Sequence, residues 1–190
     1  MRTRYKKWRG RCSGTENVPQ TEEPLIFCCN HFGITEPFWV HVCIPRKNVV
    51  IMTKKELFKE GLKSWILYNS GAFPVDRERI TRDFLSRCNR YISDEKYDML
   101  MFGQGKRRWR GWFRKKHFRA GPGHLAYSNK VDVCPVYFRG TFSRYFIPGR
   151  MHVRFGPVVS HLNPDGSRKN KEAISDEVYE AILKMHNKSW

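Results

Sequence analysis

Residues 25–37 read Leu-Ile-Phe-Cys-Cys-Asn-His-Phe-Gly-Ile-Thr-Glu-Pro. The first five are an apolar run bounded by turn and polar residues, the pattern of a strand buried on both faces. Asn30 to Glu36 is a polar loop. Pro37 suits the first position of a helix running to about Cys43, because its missing N–H would be unpaired there anyway. A buried strand thus leads through a short loop into a helix. The same alternation continues down the chain. Strands are expected at Asn48–Thr53, Ala72–Val75, Asp98–Phe102, Val133–Phe138 and Met151–Phe155. Lys54–Asn69 reads as one or two short helices interrupted near Gly61. Ile80–Ile92 reads as an amphipathic helix with Phe84, Leu85, Cys88 and Tyr91 on its apolar face. A last helix over Lys171–Met185 presents Ile174, Val178, Ile182 and Met185. Strands alternating with helices imply an α/β fold: a single-domain sandwich with a mainly parallel central sheet flanked by helices.

The 190 residues suffice for one domain, and 40% hydrophobic content fits a packed core rather than a disordered chain. Residues 1–14 read as a basic arm or edge strand, and 15–190 as the domain proper. Lys and Arg number 36 against 18 Asp and Glu, a net charge of +18 that points to anionic partners. Six cysteines, at 12, 28, 29, 43, 88 and 134, show no Cys-x-x-Cys spacing, so no metal site is expected. Cys28 and Cys29 lie in the apolar run and read as core. The cysteine pattern suggests a reducing compartment. Apolar runs fall far short of the ~20 residues that span a bilayer, and the basic N-terminus has no apolar segment after it. Any membrane contact is then expected to be peripheral.

Three short blocks carry candidate chemistry. In Asn30–Glu36 a His and a carboxylate lie five residues apart across a loop. A carboxylate on one imidazole nitrogen leaves the other as a base for a hydroxyl proton; a hydrogen-bonded loop His beside a helix-capping Glu has the same spacing. Gly71–Arg77 ends a strand in Asp76-Arg77, where a guanidinium fork suits phosphate, as a surface ion pair also would. Phe102-Gly103-Gln104-Gly105-Lys106-Arg107 sets two glycines beside two cations, the parts of an anion cradle.

The order and spacing of these blocks resemble the glycerolipid acyltransferase family. That family carries Asn-His-x-x-x-x-Asp, Gly-x-x-x-x-Asp-Arg, Phe-Pro-Glu-Gly-Thr-Arg and an apolar-Pro-apolar strand, here Asn30–Glu36, Gly71–Arg77, Phe102–Arg107 and Val133–Val136. Lys54–Phe58 leads into the second block as in family members, and the likeness runs from about Cys12 to Gly156. It implies a glycerol-3-phosphate acyltransferase-like fold and acyl transfer from coenzyme A or acyl carrier protein to a lysophospholipid such as lysophosphatidic acid. His31 would be the general base and Glu36 would orient it. Arg77, Lys106 and Arg107 would hold the acceptor phosphate. Asn30, Gly33, Gly71, Asp76, Gln104, Gly105 and Pro135 would shape the site, with amides near Gly33 or Gly105 as candidate oxyanion donors. A thioester is already activated, so no cofactor or metal is implied. Glu36 stands for the family's Asp, Gln104 for its Glu, Gly103 for its Pro and Lys106 for its Thr. These departures leave a non-catalytic lipid binder on the same fold as the alternative.

No acidic residue lies between Asp98 and Asp132. Within that stretch, Arg108, Trp109, Arg110, Trp112, Phe113, Arg114 and Lys115 interleave cations with aromatics. Such a segment docks on anionic membrane, stacks on nucleic acid, or is a charged face with its aromatics in the core. The resemblance favours membrane, at a cytoplasmic face, with no nucleic acid expected.

Overall fold

Leu25–Cys29 forms strand β2, and all five residues are buried. Its neighbours explain why. In this computed structural model, which describes residues 10–31, 36–59, 61–76, 81–106, 113–142 and 148–188, β2 runs between two parallel strands, β5 (Asp98–Phe102) and β6 (Asp132–Phe142). Around them the sheet adds β1 (Gly10–Ser13), β3 (Val49–Lys54), β4 (Ala72–Val75) and β7 (Pro148–Phe155) in the order β1-β7-β6-β2-β5-β3-β4. Among the described strands only the β6–β7 pair is antiparallel. The sheet is therefore mainly parallel, and β1 closes one edge beside β7.

Alternation along β2 divides the core. Ile26 and Cys28 face one cluster, with Phe84 and Cys88 of α3 (Arg82–Asn89), Leu125 of α4 (Gly121–Asn129), and Ile174, Val178 and Ile182 of α5 (Lys171–Asn187). Leu25, Phe27 and Cys29 face the other, with Val40 of α1 (Glu36–Cys43) and Leu67 of α2 (Gly61–Asn69). Period-two side-chain placement thus lets one strand anchor both helical layers.

The expected elements recur with local differences. The helix expected from Ile80 begins at Arg82, where Thr81 Oγ1 accepts the Phe84 N–H at 3.2 Å, and it ends in a wider turn over Arg90–Asp94; Ile80 lies outside the described residues. A 3-10 turn, Lys55–Lys59, precedes α2. Helix α4 occupies a stretch where the sequence pattern predicts no element. Among the described residues no helix is long and apolar enough to cross a membrane.

The cysteine pattern needs correction. Cys28, Cys29, Cys88 and Cys134 are buried thiols, but Cys12 and Cys43 form a disulfide joining β1 to the end of α1. A bond between elements 31 residues apart is not the mark of a reducing compartment. Closing a loop of that length removes freedom chiefly from the unfolded chain. Reduction, or Cys12→Ser with Cys43→Ser, is expected to lower unfolding stability by about 2–4 kcal/mol. Urea titrations with and without reductant measure it.

Candidate active site

The strand ends of β2, β5 and β6 meet around Asn30 and His31. Asn30 extends the β2–β6 ladder with its side chain: Nδ2 donates to the Phe138 carbonyl at 2.9 Å and Oδ1 accepts the Phe138 N–H at 2.7 Å. The main chain is thereby freed to turn out of the sheet. On the other side, the His31 backbone N–H donates to Gln104 Oε1 at 2.8 Å. The imidazole stacks on Phe102, the last residue of β5, with ring centroids 4.5 Å apart and planes 28° from parallel. Backbone and ring are thus fixed independently.

The Nδ1 atom of His31 bonds Glu36 Oε1. His31 is 6% exposed and Glu36 fully buried. Glu36 is the first residue of α1, where the positive end of the helix favours a carboxylate. A carboxylate accepts from Nδ1–H, so the lone pair resides on Nε2. Among the described residues no group bonds Nε2. The arrangement can take a proton at Nε2 and stabilise the resulting imidazolium. The adjoining thiols are poor nucleophiles: burial, then the Glu36 and Cys28 charges, push Cys29 far up, and burial pushes Cys134 to about 12.

The turn after β5 supplies the third wall. Gly103 N–H continues the ladder to the Cys29 carbonyl at 3.0 Å. A Cβ at Gly103 would sit 2.1 Å from the Phe118 ring, which explains glycine here. Gln104 supplies the acceptor through its neutral amide oxygen, a weaker acceptor than the carboxylate of the family motif. Gly105 turns with φ 64°, and its amide bonds the Phe102 carbonyl at 3.0 Å. That amide is already engaged, which corrects its candidacy as an oxyanion donor. Lys106 is exposed at this turn. The Arg119 N–H bonds the Gly103 carbonyl at 2.8 Å, and its side-chain stem lies against Gly105, a second cation that no sequence motif marks as belonging to this turn.

Other residues singled out by sequence fall elsewhere. Asp76, at the end of β4, is ion-paired with Lys55. Gly71 lies at the opposite end of that strand, where φ 75° turns α2 into β4 and its carbonyl accepts the Ile51 N–H at 2.9 Å. It is a turn glycine and does not reach His31. Pro135 is buried within β6 opposite Cys28, short of the strand end, and its carbonyl accepts the Gly156 N–H at 2.8 Å. Gly33, Arg77, Arg107, Arg108, Trp109, Arg110 and Trp112 lie outside the described residues.

Phe113 contradicts its assignment to a membrane surface. It is 8% exposed and stacks on Tyr179 of α5 at 4.9 Å, because packing the ring against α5 removes it from water. Arg114 and Lys115 are exposed, and Lys115 reaches Asp176 at 2.5 Å and lies over the Tyr179 ring. From Phe113 onward the segment is a charged face with its aromatics in the core.

Both the sequence and the fold resemble those of known proteins. A 1-acyl-sn-glycerol-3-phosphate acyltransferase of Streptococcus pneumoniae is 24% identical over 183 residues, covering 93% of this chain and 66% of that one. Its namesake from Saccharomyces cerevisiae is 24% identical, covering 90% and 59%. The chain spans less than two thirds of these curated relatives' length. The fold matches the crystal structure of the 1-acyl-sn-glycerophosphate (LPA) acyltransferase PlsC from Thermotoga maritima, with a TM-score of 0.69, 17% identity, and 95% of this chain and 73% of that one covered. The Acyltransferase family model matches residues 9–139, more than half of the chain, and on that match the chain belongs to the Acyltransferase family.

Proposed function

We propose that this chain moves a fatty acyl group from an acyl thioester, on coenzyme A or acyl carrier protein, to the free hydroxyl of a lysophospholipid such as lysophosphatidic acid. The observation that carries this reading is the His31–Glu36 pair, held at the strand ends with Nε2 as the acceptor nitrogen. The acceptor hydroxyl loses its proton to Nε2 as its oxygen attacks the thioester carbon. The tetrahedral adduct collapses, the C–S bond breaks, and the imidazolium returns the proton to the leaving sulfur. Glu36 holds the tautomer and offsets the imidazolium charge throughout. The cation at Lys106, with Arg77 and Arg107 as the family motif implies, holds the acceptor phosphate so that its hydroxyl meets the thioester. The setting is phospholipid synthesis at a membrane surface, with peripheral attachment.

Thiol release from acyl-coenzyme A and from acyl carrier protein, measured with lysophosphatidic acid present and absent, tests the reading. The expected result is acceptor-dependent thiol release matched by diacyl product. Release with neither donor would overturn it if it also failed across lysophospholipids of other headgroups.

A further inference from the structure

Of eight large apolar side chains standing exposed among the described residues, seven lie between Phe38 and Tyr68. They belong to one layer, the α1 and α2 cover of the sheet. Helix α2 turns the usual pattern inside out. Leu67 packs against the core, whereas Leu62, Trp65 and Ile66 are 73%, 64% and 52% exposed. At about 100° per residue these three share one stripe, opposite Ser64 and Leu67. Phe38 on α1 is 59% exposed and Leu57, just before α2, 48%. Single exposed apolar residues are ordinary on a monomer, but three on one helical stripe with Phe38 and Leu57 on the same layer are the mark of an interaction surface.

The charge around this layer selects the partner. Residues 36–69 hold six Lys or Arg, of which Arg46 is paired with the buried Asp98, and three Glu, one of them the buried Glu36. Lys54 and Lys55 are about half exposed at the end of β3, and the whole chain carries +18. Aromatic and aliphatic side chains rimmed by lysines on a strongly cationic protein match an anionic bilayer: the apolar groups enter the acyl boundary and the cations meet the headgroups. Topology sets the orientation. Helix α1 starts at Glu36, and the Lys55–Lys59 turn follows the end of β3, so Phe38 and Leu57 lie toward the strand ends that carry His31.

We infer that the outer face of α1 and α2, centred on Leu62, Trp65 and Ile66, docks on anionic membrane and presents the His31 end of the sheet to lipid. The inference rests on the lipid-acceptor reading for its purpose and on exposure and charge for its location. It moves the contact away from Phe113, which is in the core.

Co-sedimentation with vesicles of equal parts phosphatidylglycerol and phosphatidylcholine tests it. The variant Leu62→Ser/Trp65→Ser/Ile66→Ser is expected to bind at least about tenfold more weakly than the unaltered chain. Its unfolding midpoint should hold, since all three side chains are exposed. Tyr127→Ser, the exposed aromatic on the opposite layer, is expected to bind normally. Acyl transfer to detergent-dispersed lysophosphatidic acid is read in parallel. Vesicle binding lost in the triple variant supports docking even if no chain shows transfer, in which case the acyltransferase reading alone falls. Binding retained by the triple variant overturns docking, as does a dimer of the unaltered chain that this variant dissociates while still binding vesicles.

Discussion

His31→Ala is expected to lower kcat for acyl transfer by about 10²–10⁴-fold with little change in KM, the range that a positioned general base supplies. The thioester remains activated and the phosphate cations remain in place, so binding survives while proton removal does not. Glu36→Gln is expected to lose much of the same factor. A glutamine amide can donate to Nδ1, which moves the imidazole proton to Nε2 and removes the acceptor nitrogen. Glu36→Asp is the sharper comparison, because aspartate is the residue the family motif carries. Here Glu36 starts α1, and His31 is held by Gln104 and Phe102. Both backbones are therefore fixed, and a side chain shorter by one methylene falls back from Nδ1. A lower kcat for this variant is the expected outcome. The alanine variant also leaves a hole beside Phe102, so His31→Gln, which fills more of it, separates folding from chemistry. Retention of more than about a tenth of activity by both His31 variants would remove the base assignment.

The reach of the sequence reading follows from which contacts are local. Leu25–Cys29 shows its double burial in composition, and the five-residue step from His31 to Glu36 is visible as spacing. What orients the ring is not. Asn30 finds Phe138 across 108 residues and His31 finds Gln104 across 73, and neither follows without the strand order. Helix α4 was hidden for a related reason. The stretch Gly121-Pro122-Gly123 has low intrinsic helix propensity, and a Cβ at Gly123 would stand 1.9 Å from the Lys171 carbonyl oxygen. Glycine permits α4 and α5 to cross at that distance, and the Gly123 N–H donates to Ser175 Oγ at 3.0 Å. Tertiary contact overrides propensity there. Phe113 carries no period of its own, and its packing on Phe118 and Tyr179 is what shows that it points inward. In α2 the pattern marked a helix without showing that its more apolar stripe faces out.

Arg46→Met is expected to destabilise the fold by about 3–5 kcal/mol, the usual cost of stripping one partner from a buried ion pair. In a chain of this size that lowers the thermal midpoint by roughly 10 °C. Asp98, the first residue of β5, is 3% exposed and accepts the Leu25 N–H at 2.8 Å and Arg46 Nε–H at 2.6 Å. The same guanidinium donates to the carbonyls of Pro19 at 2.8 Å and Glu23 at 2.7 Å. One side chain thus ties the 18–24 loop to the starts of β2 and β5. That lock lies a strand length, about 17 Å, from the His31 end, so activity per folded molecule should persist. The pH response identifies the cause. Burial raises the Asp98 carboxyl above its ordinary value, while the Leu25 N–H and Arg46 pull it down. Removing Arg46 leaves burial less opposed and raises it further. A carboxyl whose folded pKa exceeds its unfolded one makes the native state bind the proton first, so stability rises as pH falls through that window. The variant's deficit should therefore shrink on moving from neutral pH toward the ordinary carboxylate range. Arg46→Met/Asp98→Asn should recover stability at neutral pH, because the uncharged amide oxygen can still accept the Leu25 N–H. A deficit unchanged by either acidification or the second substitution would mean that the lost carbonyl contacts, not the stranded charge, set the cost.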